Sequence, residues 1–317
     1  MSNFRFLGLI LLLSTCFSCK QTAEKVKSGS AEESNEQFIE RTRTTFKTVT
    51  GIHYTEVYRR FANGVSFNAQ GYQLKPSWKI IFVSDTAVSV FSPIKKRYYD
   101  LPLILDHDSI FSMAGAWFKA RKITKDSLRF QVLEVKNKVI NWNNSNVFVT
   151  FYAEDFLKNT HLNVENLQQI TRKDTAYIDS LAKISARDPK KIFAAKQPVV
   201  LKSNSANVSV TNVKLKSKEL DSYYIPETLF YPEYNVTINK AYADFHHSFA
   251  VRVDTKGQLH FIEPMEVMSP GEEENTIKIM KAIMDGYLTH YLQITPGQTL
   301  GIAHDSQILL VVRGNKS

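Results

Sequence analysis

Between residues 51 and 156 the chain repeats one unit, a short run of β-branched and aromatic residues followed by two to four turn-forming residues. Ile80-Ile81-Phe82-Val83 passes through Ser84-Asp85 into Ala87-Val88-Ser89-Val90-Phe91, and Leu103-Ile104-Leu105 passes through Asp106-His107-Asp108 into Ile110-Phe111. Residues 117–123 lead through Thr124-Lys125-Asp126 into residues 128–135, and residues 147–152 close the series. Strands about 10 residues apart with such short links pair with their sequence neighbours. The pattern therefore predicts an antiparallel β meander over residues 38–157, closed as a barrel or stacked as a sandwich.

The texture changes over residues 158–197, which read as a helical connector. Asp174 caps a predicted helix carrying Ile178, Leu181 and Ile184, and Pro189 opens a second, shorter one with Ile192 and Phe193 on one face. Residues 198–317 return to strands and form a predicted α+β domain. Phe249, Val251 and Val253 alternate with Ala250 and Arg252. Asp254-Thr255-Lys256-Gly257 makes a tight turn, and Leu259 and Phe261 alternate with His260 and Ile262, which is a β-hairpin. Ser269-Pro270-Gly271-Glu272 has the spacing of a capping box, so a helix should start there and bury Met280, Ile283, Met284, Tyr287 and Tyr291. Ile308 to Val312 supplies a closing strand.

This ββαβ-type order, with Asp254 and Gly257 in the turn and Ile294, Pro296, Gly297 and Gly301 after the helix, resembles the TonB C-terminal domain family over residues 245–314. The resemblance implies a small sheet whose free edge takes up a partner segment as an added strand. The strand expected at that edge carries Gln307, Leu309, Val311 and Arg313. Departures from the family are plain: Tyr231-Pro232-Glu233-Tyr234 runs into strand-like residues, Ile294 stands for an aromatic, and the ten prolines form no spacer. Energy transduction is therefore not expected.

At the other end, residues 1–5 are basic, residues 6–13 apolar and residues 14–19 small, the layout of an export signal and too short for a membrane span. With Ser18 before Cys19, the segment resembles the signal of bacterial lipoproteins. That resemblance implies removal of residues 1–18, acylation of Cys19 (alternatively Cys16) and a membrane partner through the lipid. The expected address is the outer membrane in the envelope of a Gram-negative cell. Residues 19–37 read as a flexible tether.

No cysteine follows Cys19. Disulfides, thiol nucleophiles and thiolate metal sites are thereby excluded from the folded part, which must stand by core packing. Apolar residues at 43% and aromatics at 12% supply that core. The formal charge is +9, one less once Arg5 leaves with the signal. On an exported protein this points away from nucleic acid and toward anionic headgroups, an acidic envelope protein or peptide, or simple solubility.

Chemistry is thinly signalled. None of the eight histidines stands at a metal-motif spacing, Asp106-His107-Asp108 reads as a solvated turn, and no nucleophile elbow or phosphate loop occurs. Neither a catalytic site, a metal nor a cofactor is expected. Asp-Ser or Asp-Thr pairs at 85–86, 108–109, 126–127, 174–175 and 179–180 resemble an O-glycosylation acceptor motif as well as ordinary turns. Two functions are expected on this reading. One is a lipid-anchored, non-enzymatic envelope module binding a partner by strand addition. The alternative is a carrier whose β domain encloses a small apolar ligand against Trp78, Phe82, Trp117 and Phe118.

Overall fold

The computed structural model describes residues 44–213 and 231–316, all within one compact unit, Thr42–Ser317. The signal, the tether and the expected lipid sites Cys16 and Cys19 lie outside the described residues. Among the described residues no helix is long and apolar enough to cross a membrane.

The architecture is mostly antiparallel β. Strands β1 (His53–Phe61), β2 (Lys79–Ser84), β3 (Ala87–Ser92), β4 (Arg97–Leu105), β5 (Ile110–Met113), β6 (Ala116–Ile123) and β7 (Ser127–Lys136) each pair antiparallel with the next. A three-residue β8 (Val139–Asn141) folds back on β7. Then β9 (Val147–Ala153) pairs with β7 on one side and β1 on the other, which closes the meander into a barrel. Asn137 and Lys138, at φ 51° and 63°, form the two-residue turn of the β7–β8 hairpin, whose twist matches the strands it joins.

Period-two alternation sends Ile80 and Phe82, Phe111 and Met113, Phe118, Leu128 and Phe130, and Val149 and Phe151 to the interior. The last occupant comes from outside the meander. Phe46, just before a short turn at Lys47–Val49, inserts its ring face to face on Phe82 at 4.0 Å and edge-on to Phe111 at 5.1 Å. Its N–H donates to Asp85 Oδ1 at 2.6 Å, and the Thr45 hydroxyl donates to the same carboxylate at 2.9 Å.

Three helices follow: α1 (Glu154–Asn159), α2 (Val164–Leu167) and α3 (Arg172–Arg187). The cap of α3 is Thr171, and Asp174 is the reciprocal member of the capping box rather than the cap itself. Ile178 of α3 meets Val65 and Phe67 from the loop after β1, together with Phe193, Leu300 and Ile302, in a small apolar cluster that seams the barrel to the rest. Gly71 lies in this seam. A Cβ there would sit 2.6 Å from the Ala194 carbonyl oxygen and 2.7 Å from the Phe193 ring, so only glycine allows the approach.

The second sheet uses β11 (Val208–Asn212), β12 (Glu233–Asn239), β13 (Phe245–Val253), β14 (Leu259–Pro264) and β18 (Ser306–Asn315) in the order β11-β12-β18-β13-β14. Two small ladders flank it: β10 (Val200–Ser203) with β15 (Leu292–Thr295), and β16 (Gln298–Thr299) with β17 (Ile302–Ala303). Helix α4 (Glu273–Ile283) buries Met280 and Ile283 on one face of the sheet.

The helix begins three residues later than the capping-box spacing suggests. Ser269-Pro270-Gly271-Glu272 is instead a turn closed by Glu272 N–H to the Ser269 carbonyl at 3.1 Å, with Gly271 at φ 90°. Proline followed by a positive-φ glycine is a type II turn, and it competes with a helix start for the same residues. Past α4 the chain widens into a π turn over Met284–Leu288. The wider turn shifts the phase of the apolar face, so Leu288 at its end is buried and Tyr291 beyond it is left 40% exposed.

Candidate functional site

The row expected at a sheet edge lies in the middle of the sheet. β18 pairs in parallel with β12 from Glu233↔Leu309 to Asn239↔Asn315, and antiparallel with β13 from Phe245↔Gly314 to Val253↔Ser306. Gln307, Leu309, Val311 and Arg313 therefore have no free backbone edge to offer, and that expectation is corrected. The reason was present in the residues. Ile308-Leu309-Leu310-Val311-Val312 is apolar on both parities, the signature of a central strand rather than a half-solvated edge. Ile308, Leu310 and Val312 fill the core beneath α4, so the four expected site residues project from the opposite face, beside Ala250, Ser248 and His246 of β13.

Among the described residues the outer strands of this sheet are β11 and β14. β14 has the more distinctive surroundings. Phe261 faces the core and carries Lys281 Nζ 5.4 Å above its ring, whereas Ile262 is 38% exposed. Beyond the strand, Glu266 folds back: its carboxylate accepts Ser248 N–H at 2.8 Å and lies 2.9 Å from His247 Nδ1. It occupies the ladder position that a further strand residue would fill. With that anchor in place, Met265 and Val267 on either side stand in solvent, at 50% and 104% exposure. Three exposed apolar side chains thus lie within six residues, Ile262 on β14 and Met265 and Val267 just past its end.

The barrel residues expected to line a ligand cavity are packed. Phe82 and Phe118 are part of the phenylalanine core, and Trp78 sits 6.0 Å from Phe118 with the Arg59 guanidinium 5.2 Å over its ring. Trp117, on the other parity of β6, is on the outer face. Glu56 fixes this corner. It is fully buried, pairs with Arg59 at 2.7 Å, and accepts the N–H groups of Ser77 and Trp78 at 2.9 and 3.0 Å.

His304 is a buried titratable group that no local sequence pattern announces. His304, with no exposed surface, stacks on Phe193 at 3.7 Å in the seam. Nδ1 faces the Asp305 carbonyl at 3.0 Å, so it carries the hydrogen. Nε2 then accepts from the Thr299 hydroxyl at 3.0 Å, which itself receives Lys196 N–H at 3.1 Å. Burial pushes the imidazole below its ordinary value, against the smaller opposing pull of Asp305. Ser306, His304 and Asp305 match a hydrolase triad by residue type only. Asp305 is turned to Arg252 at 2.6 Å, and Ser306 donates to the His304 carbonyl at 3.1 Å.

Because folded His304 resists a proton that the unfolded chain accepts near pH 6.5, its stabilisation is complete above that pH and declines as pH falls below it. The thermal midpoint of the wild type should drop between pH 7 and pH 5, and His304→Gln should flatten that drop. An equal slope in both proteins would locate the effect elsewhere.

The other candidates resolve simply. Asp106 and His107 pair at 3.1 Å in an exposed turn. His246 and His247 take opposite faces of β13, and among the described residues no three His, Cys, Asp or Glu side chains are placed to hold a metal ion. Of the Asp-Ser and Asp-Thr pairs, Ser127 is buried and bonded to Thr124, and Asp174 and Asp179 belong to α3. Searches of protein-family models, of curated proteins and of solved structures find no match to this chain.

Proposed function

We propose that the chain is a non-enzymatic binding protein, tethered at the bacterial envelope by an acylated Cys19 (or Cys16), that receives an extended partner segment beside β14. The observation carrying this reading is the side of β14 that has no strand partner among the described residues, next to exposed Ile262, Met265 and Val267. A sixth strand laid there satisfies backbone groups along its length. Its alternate side chains then meet the apolar ledge, which favours a segment alternating apolar and polar residues. The likeness of residues 245–314 to TonB C-terminal domains supports the same mode of binding, moved from β18 to β14. The basic balance of the chain suits an acidic partner or an anionic surface.

Peptides selected from a random library on the full-length chain provide the test. Binders should alternate in hydropathy and slow hydrogen exchange of the β14 amides. The pair Ile262→Lys and Met265→Lys should weaken them about tenfold while the melting temperature stays unchanged. Binders that leave β14 exchange untouched would move the site, and a selection that yields none would remove the reading.

A further inference from the structure

A concavity of about 410 Å³ opens on the barrel side of the seam, between the end of β1, the loop that follows it, the loop before β9, and α3. We infer that it is a binding site for a neutral carbohydrate. The partly exposed rings of Phe61 and Tyr177 line it, Phe67 behind them is buried, and its polar groups are three carboxamides, Asn63, Asn68 and Asn146. Among the described residues no charged side chain lines it, so an ionic ligand would give up hydration without gaining a counter-charge.

The amides are set to donate. Asn63 Oδ1 accepts Val65 N–H at 3.0 Å, and Asn68 Oδ1 accepts the N–H groups of Gln70 and Tyr72 at 3.1 and 2.9 Å. With each oxygen committed to its own turn, the two hydrogens on each Nδ2 have no protein partner among the described residues. Nor do the Asn146 side chain or the Tyr177 hydroxyl. A sugar ring has the complementary chemistry: hydroxyl oxygens around its rim to accept from those donors, and C–H faces that lie against the electron-rich faces of aromatic rings. The volume falls in the range of small-ligand sites. The inference is independent of the β14 proposal, which concerns a different sheet.

Saturation-transfer NMR on the full-length chain, with the methyl glycosides of glucose, galactose, mannose, N-acetylglucosamine and rhamnose at millimolar concentration, tests it. At least one should receive saturation on its ring C–H protons. Asn68→Asp keeps the oxygens that close the turn and removes the donors, and Asn146→Ala removes an exposed side chain with no protein partner. Each should weaken that sugar about tenfold while melting as the wild type does. No response from any glycoside, or undiminished binding in either folded variant, overturns the assignment.

Discussion

Replacing Phe46 by alanine should lower the unfolding free energy by about 3 to 5 kcal/mol, the cost of emptying a buried phenylalanine site. The ring is fully buried, stacked on Phe82 at 4.0 Å and edge-on to Phe111 and Phe130 at 5.1 and 6.2 Å. Its neighbours are held in a closed ring of strands and cannot collapse onto the space it leaves, so most of the cavity should persist. Phe46→Leu keeps the occupancy and should cost less than half as much. Urea titration of the three proteins gives both numbers. If the alanine variant loses less than about 1 kcal/mol, the barrel interior closes without this residue.

Asp174→Ala should be destabilising on a similar scale, about 3 to 5 kcal/mol, because it strands charged and polar partners in a dry site. One carboxylate oxygen accepts Ser66 N–H at 2.6 Å and the Ser66 hydroxyl at 2.9 Å. The other accepts Thr171 N–H at 2.9 Å, the Thr171 hydroxyl at 2.7 Å and the Arg60 guanidinium at 3.0 Å. A single side chain thus ties β1, the loop beyond it and the first turn of α3. Burial alone would raise its carboxyl, but the hydrogen bonds from Ser66, Thr171 and Arg60 outweigh burial and hold it at about 2.

Since the folded value lies below the unfolded one near 3.9, the stabilisation is complete above about pH 4 and disappears as the pH falls through about 2. The ionised form is worth about 2 to 3 kcal/mol at neutral pH on this basis. The gap in stability between wild type and Asp174→Asn should therefore narrow between pH 4 and pH 2. A gap that stays constant over that range would show that shape, not charge, is what the site needs.

What the residues disclose on their own follows from the range of the forces involved. Strand runs separated by turn residues, and the hairpin around Asp254, are local patterns, and the structure places strands at each of them. The order of strands in the second sheet is not local. Nothing near residues 306–315 states that β12 will lie on one side and β13 on the other, although the double-sided apolar run of β18 was a readable warning. Phe46 stands among Thr44, Thr45, Lys47 and Thr48 with no periodic companions, so its role as the filling of a barrel formed by later strands leaves no pattern. The same holds for His304 and for the asparagine cup, whose members come from three separate stretches of chain.

The position of β18 also bears on the order of events during synthesis. Each barrel strand finds a partner among strands already made, so the ring can close once residue 153 has emerged. The second sheet cannot follow suit. Until residues 306–315 are present, β11–β12 and β13–β14 are two separate strand pairs with no strand joining them, each showing the apolar face it will later share. A chain ending before residue 306 would therefore carry a closed barrel followed by two strand pairs whose shared apolar face is uncovered.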